Sequence, residues 1–90
     1  MTTQARVLVV EDEALVARDL VHTLVDMGYQ VTGCAASGEE AVRAASRDTP
    51  DVVLMDIRLR GVMDGVEAAR VMRDMFQLPV IFVTAHADDQ

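Results

Sequence analysis

The feature that most constrains the fold is a run of four apolar residues, Val52 to Met55, that ends at the carboxylate of Asp56. Because the run lacks polar alternation, it predicts a strand that is buried on both faces, as in a parallel sheet. In open α/β sheets, ligands bind just beyond the carboxyl ends of the strands. The sequence therefore places Asp56 where such a fold carries out its chemistry.

Three further segments are predicted to be strands. Arg6–Val10 and Val80–Val83 are continuous runs rich in β-branched residues, and the stretch from Tyr29 to Cys34 is a weaker candidate. Successive strands begin about 22 to 28 residues apart, which leaves room for the helical crossover that parallel neighbours require. The pattern β-α-β-α-β-α-β predicts a parallel sheet with helices on both faces, because such crossovers are right-handed.

Helical periodicity separates the four predicted strands. The first helix begins at Ala14 and ends before Gly28, a residue type that commonly follows a helix. Ser37 and Asp64 each begin a capping box, in which a side-chain oxygen accepts a hydrogen bond from a free helix amide. The second helix is expected to end near Asp48 and the third near Phe76.

Composition limits the classes of function. Ninety residues make one domain at most, and a net charge of −7 argues against a direct nucleic-acid partner, because phosphate binding requires a basic surface. No stretch approaches the roughly 18 apolar residues of a membrane-spanning helix. Cys34 is the single cysteine and cannot form an internal disulfide, which suits a reducing compartment. We therefore expect a cytoplasmic protein with no membrane partner.

Two acidic residues follow the first predicted strand directly. If that strand neighbours the Asp56 strand, Glu11, Asp12 and Asp56 come together at one end of the sheet. Three clustered carboxylates raise one another's pKa values unless a cation neutralises them, and Mg²⁺ is the natural occupant. A carboxylate at such an ion can attack phosphorus to give an aspartyl phosphate. Thr84, at the end of the fourth strand, is a hydroxyl donor placed to steady the transferred group.

Four segments of the chain resemble the motifs of the receiver domain of two-component response regulators: Val9–Glu13, Val53–Ile57, Met63–Gly65 and Phe82–Ala85. They occur in the family's order and spacing, and the resemblance covers the chain from about Arg6 to its end. It implies an α/β, flavodoxin-like (CheY-like) fold with strand order 2-1-3-4, the family's fifth strand and fifth helix being missing. The expected domain spans residues 5–90 and is incomplete at its carboxyl end, after a disordered terminus at residues 1–4.

The resemblance also implies a role for each candidate site residue. Asp56 would accept a phosphoryl group from the phosphohistidine of a sensor kinase or phosphotransfer protein. Glu11, Asp12 and Asp56 would hold Mg²⁺, with the backbone carbonyl of Arg58 as a further ligand. Thr84 would be the switch hydroxyl that reports phosphorylation to an output domain or partner. Such a domain is not an enzyme, apart from its own phosphoryl transfer and dephosphorylation.

The chain departs from the family pattern in two places. The loop 57–63 is one residue longer than usual and lacks the customary proline. The lysine that ends the family's fifth strand has no counterpart, because all eight basic residues are arginines. We therefore expect a piece of a longer regulator whose fourth strand is an exposed apolar edge, through which copies can associate.

Other functions are weaker interpretations of the same residues. Taken singly, Glu11-Asp12 fits an ordinary helix start and Asp56 an ordinary strand end, but together at neighbouring strand ends they favour a site. The missing lysine supports a receiver-like module that binds partners or dimerises without phosphorylation. An aspartyl phosphatase would need a second acid two residues after the nucleophile, where this chain has Arg58. Nucleotide binding is disfavoured, because no glycine-rich loop follows the first strand.

Overall fold

The apolar run that ends at Asp56 forms an inner strand of a four-stranded parallel sheet in the computed structural model, which describes residues 4–83. All three neighbouring strand pairs are parallel, and the order is β2-β1-β3-β4. The predicted fold class and strand order are therefore confirmed. The strands are β1 (Arg6–Val10), β2 (Gln30–Ala35), β3 (Val52–Asp56) and β4 (Val80–Val83).

Three helices cover the two faces of this sheet: α1 (Ala14–Asp26), α2 (Gly38–Arg47) and α3 (Gly65–Phe76). Successive side chains of a strand point to opposite faces, so β1 contributes to two cores. Leu8 and Val10 lie in the larger cluster with α2 and α3, whereas Val7 and Val9 lie in the smaller one with Leu24 of α1. Among the helices formed by residues 4–83, none has the length and apolar character of a membrane span.

Side-chain caps fix where the second and third helices begin. The Ser37 hydroxyl accepts a hydrogen bond from the Glu40 amide at 3.1 Å, and Asp64 Oδ1 accepts one from the Glu67 amide at 2.9 Å. Both predicted capping boxes are thus confirmed as helix starts. The predicted second strand is one residue too early, because the Tyr29 amide donates to the Leu24 carbonyl at 3.0 Å and so belongs to the end of α1.

The amino ends of β1 and β3 are joined by a polar clamp centred on Arg6. The Arg6 amide donates to Asp51 Oδ2 at 2.7 Å, and the Asp51 amide donates to the Arg6 carbonyl at 2.8 Å. The Arg6 guanidinium donates to the Thr49 carbonyl at 2.8 Å and forms an ion pair with Asp48. Because these bonds hold the chain before β3 against β1, they help to fix the β1–β3 register.

We expect Arg6→Ala to lower the free energy of unfolding by about 1 kcal/mol, since it removes two side-chain hydrogen bonds from a partly exposed site. Urea denaturation followed by circular dichroism measures this loss. Arg73→Ala is the matched control, because within residues 4–83 the Arg73 side chain pairs with its neighbour Asp74 alone, at 3.3 Å, and both side chains are largely exposed. Equal effects of the two substitutions would contradict the clamp.

Candidate functional site

The β1–β3 pairing brings two acidic strand ends side by side. Val10 lies opposite Met55 in the register, so Glu11 and Asp56 leave the sheet as neighbours. Carboxylate oxygens of Glu11, Asp12 and Asp56 all lie within 4.8 Å of one another. The structure therefore brings together the three acids that the sequence grouped, and we refer to them as the acidic cluster.

Two members of the acidic cluster are almost inaccessible to solvent. Glu11 is 2% exposed and Asp56 is 1% exposed, whereas Asp12 is an exposed residue. Burial raises the pKa of Glu11, and the nearby carboxylates of Asp56 and Asp12 raise it further. The Glu13 amide opposes this effect by donating to Glu11 Oε2 at 3.0 Å. The net result is a Glu11 pKa above its ordinary value.

The other Glu11 oxygen indicates what the acidic cluster can hold. Glu11 Oε1 is buried and has no hydrogen-bond partner within residues 4–83. A buried acceptor without a donor is destabilising, and a cation supplies the missing interaction. Three carboxylates around one point match the oxygen ligands that hard divalent cations prefer. The donor set therefore fits Mg²⁺.

The loop after β3 folds back over Asp56. The Arg58 amide donates to Asp56 Oδ1 at 2.9 Å, and the Leu59 amide donates to the Asp56 carbonyl at 3.2 Å. Leu59 anchors this turn, because its side chain is only 4% exposed and lies in the larger core cluster. This anchor was not predicted from the sequence, although the apolar residue between Arg58 and Arg60 was a signal for it. The role of the Arg58 carbonyl as a metal ligand stays a prediction.

The fourth strand ends beside the acidic cluster. Val83 lies opposite Asp56 in the β3–β4 register, and the Ile57 amide donates to the Val83 carbonyl at 3.1 Å. Thr84, the predicted switch hydroxyl, lies outside the described residues. The structural support for its predicted role is the position of Val83, the residue that precedes it.

Solvent reaches part of the acidic cluster through an open pocket of about 470 Å³ between α1 and the carboxyl ends of β1 and β2. Glu11 and Asp12 line its inner part, and Arg18 and His22 of α1 line its helix side. Its volume is many times the roughly 30 Å³ that a water molecule occupies in the liquid, so water and a small ion can approach Glu11 and Asp12 from this side. The acidic cluster is thus buried at its base and open on the α1 side.

Comparisons with known proteins agree with the fold. Residues 7–90 match the sequence model described as "Response regulator receiver domain". The transcriptional regulatory protein PdtaR of Mycobacterium tuberculosis is 40% identical over 80 residues, covering 89% of this chain and 38% of its own length. A protein-glutamate methylesterase/protein-glutamine glutaminase of Hahella chejuensis is 40% identical over 79 residues, covering 88% of this chain and 22% of its own. The chain thus spans well under half the length of these curated relatives.

A solved structure gives the same result for the fold. The signal receiver domain of a modulated diguanylate cyclase from Desulfovibrio desulfuricans superposes with a TM-score of 0.87 and 45% sequence identity. The superposition covers 93% of this chain and 67% of that one. The similarity therefore extends over most of this chain.

We expect Glu11→Gln to raise the free energy of unfolding by about 1 kcal/mol when divalent cations are chelated, because it removes a buried negative charge next to Asp56. Asp12→Asn, at the exposed member of the acidic cluster, should raise it less. Urea denaturation in the presence of EDTA at neutral pH compares the two variants with the wild-type chain. A destabilised Glu11→Gln variant would show that the buried charge is already compensated.

Proposed function

This chain belongs to the receiver domains of two-component response regulators, and from that premise we propose that it is a phosphoacceptor signalling domain. The observation that carries the proposal is the buried carboxylate of Asp56, which lies within 4.8 Å of carboxylate oxygens of Glu11 and Asp12 at the end of an inner strand. The phosphoryl group comes from the phosphohistidine of a sensor kinase or of a phosphotransfer protein.

Asp56 is the nucleophile of the proposed reaction. One carboxylate oxygen forms a bond to phosphorus while the bond from phosphorus to the donor imidazole nitrogen breaks, and that nitrogen keeps the electron pair. The Arg58 amide, 2.9 Å from Asp56 Oδ1, orients the carboxylate for this attack. The buried position limits access of water to the acyl phosphate that forms.

Mg²⁺ is the proposed cofactor, and the residues that would hold it are Glu11, Asp12, Asp56 and the backbone carbonyl of Arg58. When bound, Mg²⁺ offsets the negative charge of the carboxylates and of the transferring phosphoryl oxygens. The geometry of the acidic cluster supports this assignment, since carboxylate oxygens of its three members lie within 4.8 Å of one another and Glu11 Oε1 is buried with no hydrogen-bond partner within residues 4–83. The Glu13 amide meanwhile holds Glu11 Oε2 in position.

Thr84 is the proposed switch residue. Its neighbour Val83 lies opposite Asp56, which supports a hydroxyl within reach of the phosphoryl group. A hydrogen bond from that hydroxyl would draw the end of β4 toward the site and change the surface offered to an output domain or partner. The signal is the difference in binding free energy between the two states of that surface. The domain acts in the cytoplasm and has no enzymatic role beyond its own phosphoryl transfer and dephosphorylation.

Phosphorylation is tested by incubating the chain with Mg²⁺ and acetyl phosphate and measuring its intact mass. We expect a single phosphoryl adduct that is absent after Asp56→Asn, since the nucleophile has been removed. The adduct should also be lost when EDTA replaces Mg²⁺. The matched control is Asp19→Asn, which removes an exposed carboxylate of α1 away from the acidic cluster and should leave the adduct intact. An adduct that survives Asp56→Asn would refute the assignment.

A second candidate function is an interaction module that works without phosphorylation. The observation that favours it is the apolar surface that β4 leaves exposed, because such a surface can bind a partner without a phosphoryl group. The same mass measurement separates the two functions. A chain that binds Mg²⁺ but never gains an adduct would support the interaction module.

The β4 edge provides a proposed surface for a second copy of the chain. Within residues 4–83, β4 pairs with β3 alone, and it exposes Ile81 (53%) on one face of the sheet and Phe82 (39%) on the other. An apolar strand with free backbone amides and carbonyls readily pairs with another strand. Self-association through this edge is therefore part of the proposal.

We expect the 90-residue chain to show a mass above that of a monomer in multi-angle light scattering, rising with concentration. Ile81→Lys should shift the distribution toward monomer, because a charge on an edge strand opposes pairing. Met75→Lys is the matched control, since Met75 is also an exposed apolar residue but lies on α3. A wild-type chain that stays monomeric at high concentration would exclude the proposed surface.

A further inference from the structure

The start of α2 touches the end of the β3–α3 loop at Gly38. A Cβ atom at Gly38 would lie 2.8 Å from the Met63 carbonyl oxygen and 3.1 Å from Met63 Cβ. A real Cβ atom essentially never lies as close as 2.8 Å to another heavy atom, so an alanine would force Met63 to move. Glycine is thus required here to make room for the loop, and this close approach brings two segments distant in sequence into contact.

A second close contact of a glycine occurs where the β3–α3 loop meets α3. A Cβ atom at Gly65, the first residue of α3, would lie 3.0 Å from the carbonyl oxygen of Asp56. Met63 and Asp56 are therefore each packed against a glycine at a helix start. Between them lies Arg58, whose amide holds Asp56 Oδ1. The loop is confined on both sides of the residue that orients the phosphoacceptor.

Further hydrogen bonds connect α2 with Glu11, the member of the acidic cluster that directly follows β1. The Glu11 amide donates to the Ala35 carbonyl at 2.9 Å, which ties the end of β1 to the end of β2. Glu40 Oε1 accepts a hydrogen bond from the Ala36 amide at 2.7 Å, which ties the end of β2 to α2. Gly38, at the start of the same helix, packs against Met63 of the loop. The contacts form a series that runs from Glu11 through the end of β2, α2 and the β3–α3 loop to Asp56, and Asp56 lies beside Glu11.

We propose that Gly38 is a positioning residue for the acidic cluster, because it lets α2 hold the β3–α3 loop in the place from which Arg58 orients Asp56. The inference rests on the proposed function. A side chain at position 38 displaces Met63, and the displacement passes along the loop to Arg58. The geometry around Asp56 changes although no residue of the acidic cluster has been altered.

If Gly38 affected only the stability of α2, its substitution would have a different effect. Its backbone is not in the left-handed region, and alanine is the better helix former by up to about 1 kcal/mol. Gly38→Ala should therefore favour α2 locally while it disturbs the loop. Mg²⁺ affinity and loop protection, rather than global stability alone, are the quantities that report a positioning role.

The experiment compares wild-type chain, Gly38→Ala and Gly33→Ala by calorimetric titration with Mg²⁺ and by amide hydrogen exchange. Gly33→Ala is the matched control, because a Cβ atom there would meet only Leu8 Cδ1, at an ordinary distance of 3.8 Å. We expect Gly38→Ala to weaken Mg²⁺ binding about tenfold, as substitutions behind metal ligands commonly do. It should also speed exchange of the amides in the loop 58–63, whereas Gly33→Ala should leave both quantities near the wild-type values.

The outcomes separate this inference from the proposed function. Wild-type affinity and wild-type loop exchange in Gly38→Ala would overturn the positioning role and leave the proposed function standing. A wild-type chain that binds no Mg²⁺ would count against the proposed function, and loop exchange would still decide the role of Gly38. If Gly38→Ala does not fold, Met63→Ala replaces it, since Met63 Cγ lies 3.0 Å from the same Cβ position. Unchanged loop exchange in that variant would overturn the inference.

Discussion

The parallel pairing of β1 with β3 is the interaction on which the rest of the structure depends. It places Val10 opposite Met55 and thereby sets Glu11 beside Asp56. A slip of one residue would turn every side chain of a strand to the opposite face and separate the acids. The register is held by the two cores that β1 shares and by the Arg6 clamp at the far end of the same pair. The sheet therefore determines which acids meet, and the loop after β3 orients Asp56 among them.

Burying two carboxylates at this point opposes folding. Glu11 and Asp56 are both almost fully buried, and the pKa of Glu11 is raised as a consequence. A chain selected for stability alone would replace one of them with a neutral residue. The proposed cation site would account for both carboxylates, because a divalent cation would offset their charge and that of a transferring phosphoryl group. The same two buried carboxylates thus oppose folding and form the proposed site.

Local sequence patterns predicted most of the fold. Continuous apolar runs identified β1, β3 and β4, and the capping boxes at Ser37 and Asp64 located two helix starts. The acidic cluster was predictable because parallel strands end at the same edge of a sheet. The shift of β2 was not predictable from propensity, since it depends on the hydrogen bond that Tyr29 makes to the end of α1.

Contacts between segments distant in sequence had no local signal. The packing of Gly38 against Met63 joins a helix start to a loop that follows the next strand, and a glycine in a sequence does not state which segment it makes room for. The hydrogen bond from the Arg58 amide to Asp56 is local in sequence, but the turn that makes it is anchored where Leu59 packs in the larger core cluster. The sequence could name the acids of the site, but the structure was needed to show what holds them.

The central claim is that the three acids form one cation site at the end of β1 and β3. Titration of isotopically labelled chain with Mn²⁺, a paramagnetic substitute for Mg²⁺, tests it most directly by NMR. We expect the amide signals of residues 11–12 and 56–58 to broaden first, and excess Mg²⁺ to restore them. Broadening that begins instead at exposed acids such as Asp19, Asp26 and Asp74, or that spreads evenly over the surface, would contradict it.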